Sequence, residues 1–499
     1  MNTDKYLKMK KTIICLAAGL LALVSCDKDP DSVTVTDPIT ISSPSPTEQI
    51  TKVSLSDTQK GYVRSGNAMA FRFLKQLYEG DNLVCSPLSL QYALAMTANG
   101  ANGETLQEII DFLGYGSEGI DALNEYSRIL LEQLPAVDLD VTLKVTDALL
   151  VNEKFPLLPD FQKTVQDNYY AAVDNMDFAD SEQVAARIND WARRNTNGFI
   201  DKVLDPDELS PEAVAYLMNA LYFKAKWAGD EYDPMFREYA TIDDKFTLAD
   251  GTTKTVKMMR NMQYHRYAEM DGFRVLALPY ASGKYNMYIL LPDENNLDGL
   301  LDKLQTVTWS DIQKSFKRDA EVSLKLPKFD IENKLYLKEA LQALGVEKAF
   351  QRGAEFDGMF EPKPGYYYWI EKVIQKARIS VAEWGTEAAA VTVVEMVGES
   401  ALGPGEEPKR INFFADHPFV YLIGESTSGT ILFEGVPLAP RMGHSWKHVK
   451  EDAHGARFLL RVVQDEFSED SGRRLLQNCK RLDYGQRVLG GGTPFGVKS

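Results

Sequence analysis

The side chains that most often perform catalysis are scarce in this sequence. Between Leu55 and Pro440 there are only two histidines, His265 and His417. The same stretch contains no HExxH zinc motif, no GxSxG nucleophile turn and no Gly-Lys-Ser/Thr phosphate loop. His417 stands directly before Pro418, which favours an extended backbone, so we predict a structural role for it. The sequence therefore predicts a protein that is not an enzyme and that binds no cofactor and no metal ion.

The four cysteines give little scope for redox or metal chemistry. Cys15 and Cys26 lie in the N-terminal leader, which leaves Cys85 and Cys479 for the rest of the chain. These two form no CxxC pair and cannot build a disulfide framework. Cys85 follows two apolar residues and is predicted to be a small buried hydrophobe.

The charge balance excludes one class of partner. The 499 residues carry 72 acidic and 55 basic side chains, and the formal net charge is -17. A chain this acidic repels phosphate backbones, so we predict that it does not bind nucleic acid.

One segment, residues 381–400, has a pattern that points to function. In a β-strand, successive side chains point to opposite faces. If residues 386–397 form a strand, all of their charged side chains therefore lie on the same face. The uncharged face starts with small residues and continues with apolar ones: Thr386, Ala388, Ala390, Thr392, Val394 and Met396. The other face consists of Glu387, Ala389, Val391, Val393, Glu395 and Val397. Residues 398–410 follow, with the Gly and Pro content of an exposed loop.

This pattern has two interpretations. The segment is either an edge strand followed by an ordinary loop, or a loop that can enter a sheet as a new strand. The small residues at the start of the uncharged face favour the second interpretation, because they would let insertion begin without a steric barrier.

The elements that must position this segment are predicted to be helices first and strands later. Apolar residues have helical spacing at 70–78, 109–113 and 123–131. Strand-like runs occur at 275–279, 286–291, 322–326, 419–423 and 431–436. Early helices followed by late strands indicate the α+β class rather than a doubly wound parallel sheet.

Residues 1–26 are predicted to be a lipoprotein signal peptide. Four lysines precede a short apolar run, residues 13–24, which is too short to span a bilayer comfortably. The run ends in Leu23-Val24-Ser25-Cys26, which resembles a bacterial lipobox, so Cys26 is the predicted lipidation site. We therefore predict a protein that is lipid-anchored to a bacterial cell envelope, facing the periplasm or the exterior, with the membrane as a partner through the anchor.

The rest of the chain divides into three parts. Residues 27–54 are rich in Ser, Thr and Pro and are predicted to be a disordered tether. Residues 55–440 contain no linker and no repeat, and are predicted to be one large domain. Residues 441–499 carry 11 basic and 7 acidic side chains without clear periodicity, and are predicted to be a disordered tail of no assignable fold.

Several segments, in order along residues 55–440, resemble one family. Residues 385–392 are similar to the hinge and reactive-centre loop of the serpins, whose pattern is Glu-Glu-Gly-Thr-Glu-Ala-Ala-Ala-x-Thr. Residues 82–101 resemble the serpin shutter strand and helix, and residues 219–227 resemble a sheet strand that ends at the breach tryptophan. Further matches are Leu278-Pro279-Tyr280, Leu326-Pro327-Lys328-Phe329, Leu344-Gly345-Val346, His417-Pro418-Phe419 and Leu432-Phe433-Glu434-Gly435.

The resemblance implies a fold and a mechanism. It implies the α+β serpin fold, with about three β-sheets, eight or nine helices and an exposed reactive-centre loop. In this family a target protease attacks the loop and forms an acyl-enzyme, and the cleaved loop inserts into the main β-sheet and traps the enzyme. The implied partner is a serine protease, with a cysteine protease as the alternative, and the inhibitor is expected to be a monomer. The alternative function is that of a non-inhibitory serpin acting as a surface binding or carrier protein.

The resemblance also implies roles for individual residues. The hinge consists of Glu383, Gly385, Thr386, Glu387, Ala388, Ala389, Ala390 and Thr392. The shutter consists of Ser86, Ser89 and Asn219, and the breach consists of Trp227 and of Lys328, which would pair with Glu383. Two positions depart from the family pattern: Trp384 replaces a polar hinge residue, and Gln375 replaces the shutter histidine. The first departure bears on the rate of insertion and the second on the stability of the shutter.

The reactive bond is predicted at Glu399–Ser400, from the usual family spacing after the hinge glycine, with Met396 and Val397 as alternatives. Cleavage after Glu399 would suit a glutamate-selective serine protease, whereas cleavage at Met396 or Val397 would suit elastase-like or subtilisin-like enzymes. Residues 105–134 contain a single basic residue, Arg128, so no heparin-type activator is expected.

Overall fold

The computed structural model describes residues 45–116, 119–230, 232–361, 363–386 and 410–438. Within these ranges the chain forms nine α-helices and fifteen β-strands, with most helices before residue 200 and most strands after it. This arrangement confirms the predicted α+β class. The predicted signal peptide, residues 387–409 and the tail from 441 to 499 lie outside the described residues.

The helices are α1 (Asp57–Leu77), α2 (Pro87–Ala98), α3 (Gly103–Leu113), α4 (Ile120–Gln133), α5 (Pro159–Tyr169), α6 (Ser181–Asn195), α7 (Leu297–Lys303), α8 (Trp309–Ser315) and α9 (Lys338–Ala343). The strands are β1 (Leu83–Cys85), β2 (Thr142–Asn152), β3 (Ala172–Met176), β4 (Ala215–Lys226), β5 (Ile242–Thr247), β6 (Thr253–Met270), β7 (Phe273–Tyr280), β8 (Tyr285–Pro292), β9 (Lys317–Pro327), β10 (Phe329–Tyr336), β11 (Ile374–Ala382), β12 (Gly385–Thr386), β13 (Arg410–Phe414), β14 (Val420–Glu425) and β15 (Ile431–Val436). Each segment in which apolar spacing predicted a helix or a strand has that structure, to within one residue at its ends. None of the helices in the described part of the chain is both long enough and apolar enough to cross a lipid bilayer.

The strands form two hydrogen-bonded networks among the described residues. One has nine strands in the order β1-β15-β14-β8-β7-β6-β9-β13, with β5 also paired to β6. The other has six strands in the order β10-β11-β12-β4-β2-β3. The family pattern has about three sheets, and two of them are joined here through the 18-residue strand β6. This strand pairs with β5 at its start, with β9 along its middle and with β7 at its end. The two networks agree with the expected serpin fold.

Helix α2 is a central core element rather than a surface helix. Its N-terminus is set by Ser86, whose hydroxyl accepts a hydrogen bond from the Ser89 N–H at 3.2 Å, and by Pro87 in the first turn. Eleven of its twelve residues are buried, as expected for a helix that is apolar on all sides.

The six-stranded sheet lies between α2 and α6. On one face, Asn219 of β4 contacts Ser89 of α2. On the other face, Met218 and Ala220 of β4 belong to the same apolar cluster as Ile188 of α6. Successive side chains of β4 therefore face opposite layers, as the two-residue period of a strand requires.

The structure corrects the C-terminal boundary of the predicted tether, residues 27–54. The Ile50 N–H donates to the Ala136 carbonyl at 2.9 Å, and the Val53 N–H donates to the Thr427 hydroxyl at 3.1 Å. Val53 is buried and Ile50 packs against the main core. Since these apolar residues pack and their N–H groups have partners, residues 50–54 belong to the folded domain that was predicted to start at residue 55.

Gly435 lies at a tight approach of β1 and β15, where it pairs with Val84. A Cβ atom on Gly435 would lie against the carbonyl oxygen of Leu83 and 2.5 Å from the hydroxyl oxygen of Tyr421. We expect Gly435→Ala to lower the free energy of unfolding by about 1–3 kcal/mol, because backbone atoms cannot move aside cheaply. Urea unfolding would measure the change. Gly353→Ala is the matched control, since nothing lies within 4 Å of its Cβ position, and equal losses in the two variants would contradict the prediction.

Candidate functional site

Two residues of the predicted hinge, Gly385 and Thr386, already form a strand inside the six-stranded sheet. Gly385 and Thr386 make up β12, which lies between β11 and β4. Thr386 pairs with Val381 of β11 on one side and with Ala225 of β4 on the other, and both pairings are antiparallel. The start of the segment is therefore bonded as an extra strand would be.

Beyond these two residues, β4 and β11 are separated. No ladder joins β4 directly to β11 in the described residues; β4 pairs with β2 on its outer side, and β11 pairs with β10. Cavities on both faces of the sheet are lined by both strands. The one on the α2 side is lined by Asn219 and Gln375, and the one on the α6 side by Ala220 and Lys376. The sheet therefore contains an opening that runs from β12 along the two strands.

A larger cavity of about 680 Å³ lies at the far end of this opening. It is lined by the start of β4, residues 213–217, and by residues 365–372, which lead into β11. Its floor contains the buried rings of Phe155, Phe356 and Phe360. The opening thus continues past the ends of the two strands into a cavity that is lined by aromatic rings and by charged side chains such as Arg352 and Glu371.

Gly385 occupies a position that only glycine fits. Its φ angle is +146°, which side chains of L-residues rarely allow. A Cβ atom would also collide with the carbonyl oxygen of Ala225 and would lie 2.8 Å from the Lys226 Cα. The hinge glycine is therefore required by the close approach of β12 to β4.

Thr386 points into the core of the molecule. It is 3% exposed, and its hydroxyl oxygen lies 2.5 Å from the hydroxyl oxygen of Tyr280, which is itself fully buried. Burial raises the pKa of the Tyr280 phenol, so the phenol keeps its proton for this hydrogen bond. The uncharged face of the segment thus begins on the core side of the sheet.

The residues predicted for the breach surround the entry point of β12. The Trp227 indole stacks on Tyr280, with ring centres 4.5 Å apart and planes 8° apart, and its Nε1–H donates to the Ala382 carbonyl at 2.8 Å. Lys328 Nζ lies 2.7 Å from Glu383 Oε2. Burial raises the pKa of Glu383, but the hydrogen bonds that the carboxylate accepts, led by the one from Lys328, outweigh it together with the charge of Lys328, and the pKa is lowered. The Trp227 indole therefore ties the end of β11 to the residue that follows β4, and the Lys328–Glu383 pair ties the turn after β11 to the junction of β9 and β10.

Trp384, which departs from the family pattern, lies outside the sheet opening. It occupies the two-residue turn between β11 and β12, because Ala382 and Gly385 already pair. Its side chain is 36% exposed, and its carbonyl accepts a hydrogen bond from the Trp227 N–H at 3.3 Å. The bulky ring therefore does not occupy the path between β4 and β11.

The residues predicted for the shutter meet at the first turn of α2. Ser89 contacts the Asn219 side-chain oxygen on β4. Gln375 on β11 holds the Ser86 backbone from both sides: Oε1 accepts from the Ser86 N–H at 2.8 Å, and Nε2 donates to the Ser86 carbonyl at 2.9 Å. Each strand beside the opening is thus attached to the same helix turn, and the amide that replaces histidine makes this attachment without a titratable group.

Sequence reasoning missed Asp147, a carboxyl group in the centre of this network. It lies in β2 directly opposite Asn219, whose Nδ2–H donates to Asp147 Oδ1 at 2.6 Å. Its side chain is fully buried, and Oδ2 has no hydrogen-bond partner among the described residues; the same is true of the nearby Tyr92 hydroxyl. Burial raises the pKa of Asp147 to about 7. A charged residue inside the apolar run 145–151 was the signal that could have revealed it.

Several predicted site residues lie outside the described residues. These are the hinge residues Glu387, Ala388, Ala389, Ala390 and Thr392, the reactive-bond candidates Glu399, Ser400, Met396 and Val397, and the lipidation site Cys26. In the described part of the chain, no group of three or more His, Cys, Asp or Glu side chains is arranged to hold a metal ion. Both histidines have structural neighbours: His265 is buried beside Asn261, and His417 bonds the Pro292 carbonyl at 3.0 Å.

Asp147 should make stability depend on pH. An unfolded aspartate titrates near 3.8, whereas burial holds the pKa of the folded group near 7. Between these values the folded protein keeps a proton that the unfolded chain has lost, so stability should fall as pH rises from about 4 to about 7, by up to roughly 1.4 kcal/mol per pH unit. We expect Asp147→Asn to flatten this slope, since an amide matches the protonated acid in shape. Urea unfolding at a series of pH values measures it.

The matched control is Asp140→Asn, which alters an exposed aspartate close by in the chain. This variant should keep the slope of the unmodified protein. A slope that survives in Asp147→Asn would contradict the assignment.

Comparison with known proteins agrees with this geometry. Residues 64–440 match the model of the family described as Serpin (serine protease inhibitor). Serpin-Z1C of Triticum aestivum is 33% identical over 370 residues, which cover 72% of this chain and 90% of that protein. The native-state crystal structure of the thermophilic serpin tengpin has a TM-score of 0.67 and 29% identity, and the match covers 79% of this chain and 97% of that one. Human thyroxine-binding globulin has a TM-score of 0.67 and 25% identity, covering 77% of this chain and all of that one.

The family model covers most of the chain, a curated relative exceeds 30% identity over nearly its whole length, and the sheet opening with its hinge strand has the same residues that carried the resemblance. The chain therefore belongs to the serpin family.

Proposed function

We propose that this serpin is an inhibitor whose reactive-centre loop, once cut by a target protease, becomes a strand between β4 and β11. One observation carries the proposal: Gly385 and Thr386 are paired with both strands, while no ladder joins those strands elsewhere in the described residues. Serpins are in general protease inhibitors rather than enzymes, and act on their targets as monomers.

The driving force would come from completing two hydrogen-bond ladders at once. Each backbone hydrogen bond contributes about 0.5–1.5 kcal/mol net, so a strand of about ten residues would add on the order of 10 kcal/mol. Apolar side chains on the core-facing side would add burial to this sum. A free-energy gain of this size could move an attached enzyme across the molecule, as trapping requires.

The target is proposed to be a serine protease, with a cysteine protease as the alternative. Glu399–Ser400 remains the proposed reactive bond, and Met396 and Val397 remain the alternatives. These choices predict different enzymes, because a glutamate side chain fits only a pocket that offers cationic or donor groups. N-terminal sequencing of the fragment released by cleavage would identify the bond.

Thr386→Arg should convert the inhibitor into a substrate. Thr386 is 3% exposed and bonded to Tyr280 in the uncut protein, so an arginine there would be a buried unpaired charge and would keep the start of the loop from pairing in the sheet. We expect the variant to be cleaved by subtilisin or by a glutamate-selective protease without forming an SDS-resistant complex. The matched control is Thr253→Arg, at an exposed strand position, which should trap the enzyme as the unmodified protein does.

Two results would count against the proposal. One is complex formation by Thr386→Arg at the rate of the control. The other is a melting temperature that loop cleavage leaves unchanged, since insertion should raise it markedly.

A carrier function is the alternative, and one observation favours it. The cavity of about 680 Å³ is of the size that a small molecule would fill, and thyroxine-binding globulin belongs to the same structural group. Cleavage by every protease of a broad panel, with no covalent complex from any, would support this alternative.

We also propose that Cys26 is acylated and anchors the protein to a bacterial cell envelope, with the domain on the periplasmic or exterior side. The support is the lipobox Leu23-Val24-Ser25-Cys26 after a lysine-rich start and a short apolar run.

Cys26→Ser should abolish acylation and release the protein from membranes. Expression in a bacterium with radiolabelled palmitate would measure both effects by gel and by fractionation. Cys15→Ser is the control, because it removes a thiol from the same leader without touching the lipobox. Label retained in Cys26→Ser would refute the anchor.

A further inference from the structure

Three exposed aromatic side chains stand within residues 366–369, on the segment that leads into β11. Tyr366 is 58% exposed, Tyr367 is 55% exposed and Trp369 is 42% exposed. All three line the cavity of about 680 Å³ at the far end of the sheet opening. A folded protein usually buries most of the surface of such rings, so three exposed rings along one cavity offer a contact surface to a ligand. We call these three residues the aromatic rim.

Each ring of the aromatic rim is held by a contact within the protein. The Tyr366 ring packs edge to face against a buried phenylalanine ring of the cavity floor, with ring centres 5.5 Å apart. The Arg352 guanidinium lies over the Tyr367 ring, 4.6 Å from its centre. The Trp369 Nε1–H donates to Glu371 Oε2 at 3.0 Å. Because the rings are oriented before a ligand arrives, binding costs little side-chain entropy.

Charged side chains of both signs line the same cavity. The acidic ones are Asp207, Glu208, Glu212 and Glu371, and the basic ones are Arg352 and Lys372. Within the described part of the chain, only Glu208 of this set makes an ion pair, with Lys334 at 2.5 Å. The remaining acidic and basic groups nearly balance in charge, and no ion pair within the protein occupies them.

This composition favours one class of ligand. A highly charged ligand is best held by a wall of the opposite sign, and a lipid chain by a wall that is apolar throughout. Here acidic and basic groups are mixed, and exposed rings stand beside them. A neutral sugar fits such a wall, because its C–H face packs on an aromatic ring. Its hydroxyl groups can also donate to carboxylates and accept from guanidinium or ammonium groups.

We propose that the aromatic rim and the cavity behind it bind a neutral oligosaccharide. Tyr366 and Trp369 are the rings on which the sugar stacks. Arg352 and Glu371, each beside one ring of the rim, make hydrogen bonds to its hydroxyl groups. The inference goes beyond the proposed inhibitory function, because the site lies away from β12 and requires neither a protease nor a cut loop.

The test is isothermal titration calorimetry on the full, uncut chain. The probes are neutral hexasaccharides of glucose, N-acetylglucosamine, mannose and galactose, with heparin and decanoate as a polyanionic and an apolar comparison. We expect at least one neutral hexasaccharide to bind with a Kd of about 1 mM or lower. High salt should leave this Kd unchanged, because the ligand carries no charge.

Two variants locate the site. The double variant Tyr366→Ala, Trp369→Ala should bind the sugar at least about tenfold more weakly, since it removes both stacking rings. Glu371→Ala should weaken binding by about tenfold without removing a ring, since it deletes a charged hydrogen-bond acceptor. The melting temperatures of both variants should match that of the unmodified protein, which separates a contact role from a folding defect.

The double variant Tyr232→Ala, Tyr239→Ala is the matched control. These tyrosines are 85% and 79% exposed and do not line the cavity, so the control should bind as the unmodified protein does. The inference is overturned if no neutral hexasaccharide binds, whether or not heparin or decanoate does. It is also overturned if the rim variant and the control bind equally well. Neither result bears on protease trapping, because no protease is present in the measurement.

Discussion

The rest of the structure depends on a missing segment of one β-ladder, the stretch between β4 and β11 that lies beyond β12. Buried backbone N–H and C=O groups are stabilised by the hydrogen bonds of a β-ladder. Two neighbouring strands that do not pair must therefore be held apart by other contacts. In this protein those contacts are concentrated at the entry to the opening and at its middle. The two-residue strand β12 shows where a further strand would begin.

The two holding points act in different ways. At the entry, the Trp227 indole joins the end of β4 to the end of β11, and the pair of Lys328 with Glu383 fixes the turn after β11 to the junction of β9 and β10. In the middle, Ser89 holds β4 and Ser86 is held by Gln375 of β11, so the strands are joined to one turn of α2 rather than to each other. The second arrangement lets the strands stay apart while each remains fixed, which is what an opening for an incoming strand requires.

The titratable group among the shutter residues is Asp147 on β2. The family pattern places a titratable histidine at position 375 on β11 instead. Gln375 supplies one donor and one acceptor at any pH, whereas Asp147 is buried with one oxygen unbonded in the described residues. Asn219 links the Asp147 carboxyl group to Ser89 by hydrogen bonds, so this group is in direct contact with the strand that borders the opening. The family resemblance drew attention to position 375, but the burial that raises a pKa depends on packing from several elements and could not be seen from the chain alone.

Local order along the chain determined a large part of this protein. The apolar spacing of the helices and strands was enough for the α+β class, because periodicity and turn chemistry act over a few neighbours. The family, and the residues predicted for the breach and the shutter, came from the resemblance of ordered motifs along residues 55–440. Only the tertiary structure decided that residues 50–54 pack on the domain, that Asp147 lies opposite Asn219, and that β12 lies between β4 and β11. The last two depend on which distant strands pair and in which register. A shift of one residue in that register would turn every such side chain to the other face of its sheet, and no nearby sequence specifies it.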